Sequence, residues 1–234
     1  MTTQHWRTAR KRLLSLLGLL VPLISFSGNN DIYLTQSGTG LTLTIDQIGA
    51  TNKVGTSQAR VSLTGTTMTV DIDQIGNTNT FAATIAQGNT SSWTYKAEGN
   101  ENEATITVGG TGDVAGSDFD YDALGSSNVL VFTQGDASTA TSGNQDFDVD
   151  GTSNNVNVKC NVVGCKNDWT VVGNSNDIDT VQSGSANHNI TVVLTGGGND
   201  FDVDQTDTAS TNVADIIATT TNGTIDIDQC ASGC

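Results

Sequence analysis

The chain has 234 residues, with 25 acidic against nine basic side chains, 26 Gly, one Pro and few aromatics, for a net charge of −16. So acidic a surface repels nucleic acid and anionic lipid while favouring solubility and cation binding, which excludes nucleic acid as a partner. Large apolar residues are too thin for a wide core, and the abundance of Thr, Asn, Asp, Ser and Gln fits a narrow core served by stacked polar side chains.

The first predicted element stands apart from the fold. Arg7, Arg10, Lys11 and Arg12 precede the apolar run Leu13 to Phe26, and Ser25 and Ser27 stand at the minus-three and minus-one positions of a cut before Gly28. This is the pattern of a secretory signal peptide over residues 1–27. The alternative is a membrane anchor, but the run falls short of the ~20 residues of a spanning helix. Cleavage removes four basic and no acidic residues, leaving five against 25, a net charge of −20. The expected location is therefore secreted or cell-surface, in an oxidising compartment where Cys160, Cys165, Cys230 and Cys234 are disulfide candidates with three pairings open. The local pairs Cys160 with Cys165 and Cys230 with Cys234 would close small loops and stabilise less than a long-range bridge. The Cys spacings, with His188 as the one histidine after the cut, make a poor zinc site.

Residues 28–234 show almost no helical period. Alternating stretches follow one another instead: LTLTID from 41, MTVDID from 68, ATITV from 104, NVLVF from 128, FDVD from 147 and again from 201, NVNV from 155, ITVVL from 190 and TIDID from 224. They read as many short strands, punctuated by Gly, Asn and Ser groups that supply the positive φ of tight turns. Gln36, Gln47 and Gln58 are spaced by eleven, and Gln182, Gln205 and Gln229 by 23 and 24. Eleven is half of about 23, so a strand, turn, strand, turn unit of about 22–24 residues closes one coil of an all-β solenoid. The 27-residue interval from Gln47 to Gln74 needs a longer turn, and residues 100–175 keep the strand signals while losing the Gln register.

In such a stack, a Gln or Asn repeated at one place can hydrogen-bond its amide to the copies above and below, each bond contributing about 1 kcal/mol net. The expected ladder residues are Gln36, Gln47, Asn52, Gln58, Gln74, Asn79, Gln182, Asn187, Gln205 and Gln229. Strict alternation cannot place Ile45, Ile48, Ile72 and Ile75 all inside. The residues flanking Asp46 and Asp73 are expected inside, with the Gln turning inward near the corner.

Gln47, Gly49, Asn52, Val54 and Gln58 stand at offsets 0, 2, 5, 7 and 11. This segment resembles the curlin repeat, Gln-x-Gly-x-x-Asn-x-Ala-x-x-x-Gln, with Val in place of Ala. Gln74, Gly76 and Asn79, and again Gln182, Gly184 and Asn187, repeat the first three positions, and Gln36 with Gly38 gives a partial copy closed by Gln47. The resemblance covers about a third of the mature chain. It implies export through an outer-membrane pore, help from a nucleator subunit, and self-assembly into extracellular amyloid fibres of the adhesive biofilm matrix. An uncapped solenoid also exposes strand edges at both ends, where a second copy can dock head to tail.

Three runs, SDFDYD from 117, QDFDVD from 145 and NDFDVD from 199, place aromatic and aliphatic residues on one strand face and Asp on the other. Stacked, they would make columns of carboxylates. Asp118, Asp120, Asp146, Asp148, Asp200 and Asp202 are the candidate calcium ligands, against the plainer reading of a solvated acidic face that blocks unwanted lateral aggregation. Threonine strings resemble those of ice-binding solenoids without a regular T-x-T, and Thr favours strands in any case. His188 has no evident catalytic partner and no carboxylate pair stands out, so no enzyme activity and no obligate cofactor are expected. The sequence reads as a structural fibre subunit, the alternative being a non-fibrous secreted solenoid that binds calcium or polysaccharide through its acidic face.

Overall fold

The computed structural model describes residues 31–56, 58, 60–86, 90–109, 115–135, 141–161, 163–184, 188–207 and 212–230. The expected signal peptide, Asn187 and Cys234 lie outside them. The described residues contain no helix and wind as a parallel β-solenoid.

The strands are β1 (Asp31–Ile32), β2 (Thr35–Ser37), β3 (Thr42–Ile48), β4 (Lys53–Val54), β5 (Val61–Thr64), β6 (Thr69–Ile75), β7 (Thr80–Ala86), β8 (Ser92–Glu98), β9 (Glu103–Val108) and β10 (Ala115–Leu124). They continue with β11 (Val129–Gln134), β12 (Thr141–Thr152), β13 (Asn155–Cys160), β14 (Val163–Asn174), β15 (Asp177–Gly184), β16 (Asn189–Gly197), β17 (Asp200–Asp207), β18 (Val213–Thr221) and β19 (Thr224–Cys230). Sheet 1 stacks nine rows in the order β1, β4, β7, β9, β11, β13, β15, β17, β19, with β2 and β5 completing the first two. Sheet 2 stacks eight, from β3 through β6, β8, β10, β12, β14 and β16 to β18. Each coil crosses from sheet 2 to sheet 1 at one edge and returns at the other.

Alternation sets the core. In sheet 2 the column Ile45, Ile72, Tyr95, Tyr121, Phe147, Trp169, Val192 points inward and is buried in the first seven rows, with Ile216 partly buried in the last. Rings meet along and across the core: Phe147 lies 4.2 Å from Trp169 of the next row, and Phe119 lies 4.1 Å from Phe132 of the opposite sheet, centroid to centroid. Such ring pairs contribute beyond their buried area, so a core too narrow for many aliphatics concentrates its apolar area in one spine.

The shortest coils hold 22 or 23 residues, measured between equivalent asparagines. In the 27-residue coil, Val54 pairs with Phe81 and Val61 with Ala83, so the chain leaves sheet 1 in the middle of a row and rejoins it at Val61. The extra residues are therefore an excursion from the face rather than the longer turn expected from the sequence. In the two 26-residue coils Val108 and Asp118, and Gln134 and Asn144, stand ten residues apart where the paired Ile85 and Ser92 stand seven apart.

Candidate functional site

The first edge is built from one repeated corner, Gly-x-x-Asn. It occurs as Gly49 to Asn52, Gly76 to Asn79, Gly99 to Asn102, Gly125 to Asn128, Gly151 to Asn154, Gly173 to Asn176 and Gly196 to Asn199. The first position takes φ between +122° and +149°, and the third is left-handed, as at Thr78 (59°) and Ser153 (58°). Only glycine fits the first position for two separate reasons. Its φ is one that side chains disfavour, and a Cβ on Gly173 would sit 1.7 Å from the Gly151 carbonyl oxygen of the coil beside it.

Asparagine closes the corner. The backbone N–H of Asn52 donates to Oδ1 of Asn79 at 2.9 Å, and the same bond runs from Asn79 to Asn102, Asn102 to Asn128, Asn128 to Asn154, Asn154 to Asn176 and Asn176 to Asn199. All seven side chains are buried. The Nδ2 groups of Asn79, Asn154, Asn176 and Asn199 add bonds to corner carbonyls, as from Asn154 to Gly125 and Asn176 to Gly151, both at 3.1 Å. The bonds thus alternate backbone with side chain, which differs from the expected amide-to-amide stack for Asn52 and Asn79. A buried backbone donor that no neighbouring strand can reach is satisfied by the next coil's side chain.

Glutamines do form amide-to-amide ladders, in two separate pieces. In sheet 2, Gln74 Nε2 donates to Gln47 Oε1 at 2.8 Å, and the Tyr95 hydroxyl ends the run by donating to Gln74 Oε1 at 3.0 Å. In sheet 1, Gln205 Nε2 donates to Gln182 Oε1 at 2.7 Å and Gln229 Nε2 to Gln205 Oε1 at 2.6 Å. Two expected members fall outside. Gln58 lies exposed between Val54 and Val61, where the chain leaves sheet 1, and Gln36 is exposed in the terminal row beside Leu63. Between the pieces the columns hold Ala97, Ala123, Val149 and Val171 in sheet 2, and Val108, Gln134 and Cys160 in sheet 1. Sequence reasoning missed Asn102, Asn128, Asn154, Asn176 and Asn199, whose signal is the four-residue corner itself.

Cys160 and Cys165 are joined, with 6.4 Å between Cα atoms, and pin the return edge from β13 to β14. Gln145 lies against this buried bridge, its Nε2 3.7 Å from Cys160 Sγ and also donating to Gln134 Oε1.

The Asp runs do project outward, with Phe119, Tyr121, Phe147, Val149, Phe201 and Val203 buried behind them. They do not form one cluster. Asp120, Asp146 and Asp168 stack in one column of sheet 2, and Asp122 with Asp148 in the next. Asp200 and Asp202 belong to sheet 1, where they stack with Asp177, Asp179 and Asp226. The six expected calcium ligands are therefore divided between opposite outer faces, because period-two alternation fixes inside from outside but not which sheet a strand joins. Among the described residues no group of three acidic, Cys or His side chains is placed to hold a metal ion.

Burial, and then neighbouring carboxylates, raise the pKa of Asp73, Asp120, Asp146, Asp177 and Asp202 above the ordinary Asp value. Lys96 beside Asp122 at 4.0 Å and Glu98 at 3.8 Å offsets little of this at an exposed site. A carboxyl whose folded pKa is raised binds its proton more readily in the folded state, so stability increases as pH falls through the folded values and stops increasing below the unfolded value near ~3.9. The thermal midpoint is expected to rise on acidification from pH ~7 to pH ~4, the reverse of ordinary acid denaturation; a midpoint that falls over that window in buffered calorimetry would refute this.

No family model, curated protein or solved structure matches this chain.

Proposed function

We propose that the protein is a secreted structural subunit that self-assembles end to end into extracellular fibres of the curli type, serving adhesion and matrix rather than catalysis. One observation carries this reading: the terminal rows have the same inward pattern as the interior ones, with apolar side chains still exposed at the stack ends. Ile227 stands in the inward column of Val158, Thr180 and Val203, yet is 38% exposed. Ile216 and Ile225 at one end, and Ile32, Leu34, Leu41 and Leu43 at the other, are only partly buried against the core. A parallel edge strand with an apolar inner face is a template for another strand, and joining opposite ends of identical molecules gives a contact that does not close. Export through an outer-membrane pore and a nucleating partner subunit belong to the same proposal through the Gln-x-Gly-x-x-Asn resemblance.

The test is incubation of the protein, processed at the expected cut before Gly28, in dilute buffer with and without calcium. Thioflavin fluorescence and electron microscopy are followed together. Fibres that appear after a lag, and without it when seeded, are expected in both buffers. A strand-rich monomer unchanged over days would overturn the fibre reading, and calcium binding by that monomer would favour the acidic-face alternative.

A further inference from the structure

Resting on the fibre reading, we infer that successive subunits are related by a half-turn about the solenoid axis, so that sheet 1 of one copy continues into sheet 2 of the next. The reason is the row count. Among the described residues sheet 1 has nine rows and sheet 2 eight, so the described stack has a sheet 1 row at each end. Stacking a second copy without rotation would place its β1–β2 row on β19 but leave one strand missing from sheet 2 at every junction. The edges bounding that gap would carry unpaired backbone groups against the core, at a cost of about 1–3 kcal/mol each.

A half-turn removes the gap. Strands of the two sheets run in opposite directions, and rotation by 180° about the axis turns one direction into the other. The β1–β2 row of the second copy then covers β18, and its β3 covers β19, with parallel pairing kept throughout.

Side chains at this junction agree in each inward column. Row 224–229 reads TIDIDQ and row 42–47 reads TLTIDQ. Ile225 meets Leu43, Ile227 meets Ile45 and Gln229 meets Gln47. The last pair joins the two glutamine ladders, whose placement in different sheets at opposite ends of the molecule otherwise has no connection. Gln182, Gln205 and Gln229 of one copy would run on into Gln47 and Gln74 of the next, each Nε2 donating to the preceding Oε1 as within the chain. On the other sheet Ala214 meets Ile32, Ile216 meets Leu34 and Ala218 meets Gln36.

The corners agree as well. In the half-turn arrangement residues 38–41 stack on residues 220–223. Gly40 (φ 70°) then lies over Asn222 (φ 57°), both left-handed, and Gly38 (φ 148°) has the conformation of the first corner position. Within the chain, Gly49 N–H donates to Ile75 O and Thr51 N–H to Asn77 O. The equivalent bonds across the junction run from Thr220 to the carbonyl of Ser37 and from Asn222 to that of Thr39.

Cysteine crosslinking distinguishes the two arrangements. Exposed Asp226 faces Thr44 of the next copy across a half-turn junction and Tyr33 across an unrotated one. Directly paired strands bring Cα atoms within disulfide range. In a Cys230→Ser, Cys234→Ser background, fibres of Thr44→Cys/Asp226→Cys are expected to oxidise to a ladder of covalent multimers on denaturing gels, and fibres of Tyr33→Cys/Asp226→Cys to remain monomeric. The reverse result, or fibres with neither crosslink, overturns the half-turn while leaving the fibre reading intact. Absence of fibres from the unsubstituted chain overturns both. Should either double variant fail to assemble, cryo-electron microscopy of unsubstituted fibres reads the same point. The expected symmetry is a rotation near 180° with a rise of roughly 40 Å per subunit, set by ~4.8 Å per row; a rotation near 0° overturns the inference.

Discussion

Gly173→Ala is expected to cost about 3–5 kcal/mol, combining a positive φ that alanine disfavours with an overlap no side chain can relieve. The added methyl would lie 1.7 Å from a backbone oxygen, that of Gly151, and Gly151 itself is held against Gly125 in the same way. The coils must separate locally, and the strands on both sides of the corner lose their pairing. In a chain of this size the loss lowers the thermal midpoint by about 10 °C or more. Gly116→Ala is the control: Gly116 is also left-handed (φ 63°), but no atom lies within 4 Å of its would-be Cβ. Its cost is expected to stay near ~1 kcal/mol. Equal midpoints for the two variants would show that close packing of the glycine column does not hold the coils together.

Asn154→Ala tests the other half of the corner. The substitution leaves the Asn128 N–H without its acceptor and the Gly125 carbonyl without its donor, in a site that is 1% exposed. Two unsatisfied groups and a small void give an expected loss of about 2–4 kcal/mol, read as a shifted urea midpoint. Asn144→Ala removes a comparable bond, to Asp118 Oδ1 at 2.9 Å, from the solvated face. There the expected change is within about 0.5 kcal/mol. If the two asparagines prove equivalent, the Asn column is decoration rather than the element that sets coil register.

These corners also explain how far the sequence could be read. Alternation in TIDIDQ, FDVD and NVLVF placed apolar residues inside and Asp outside, because a strand in a solenoid has one dry face. The glutamine spacing gave the length of the shortest coils but lost register over residues 100–175. An inward column accepts any group that fills the space, so Ala97, Val149 or Cys160 stand where glutamine stands elsewhere. The corner accepts far less. Its first residue must tolerate positive φ and backbone contact, and its fourth must carry an acceptor to the neighbouring N–H, so Gly-x-x-Asn continues through Gly125 to Asn128 and Gly151 to Asn154. Following those pairs instead of glutamine keeps the register to Asn199. The distribution of Asp between the two faces was not legible in the same way, since it depends on counting strands through corners of variable length.

Counting strands also underlies the proposed half-turn, because one described row more in sheet 1 than in sheet 2 would leave sheet 2 a strand short at every unrotated junction. X-ray diffraction from aligned fibres of the processed protein tests most directly the claim that assembly is continued stacking of the coils. The account predicts a meridional reflection at ~4.7–4.8 Å, with strands perpendicular to the fibre axis. Fibres lacking that meridional spacing, or a protein that stays monomeric, would contradict it.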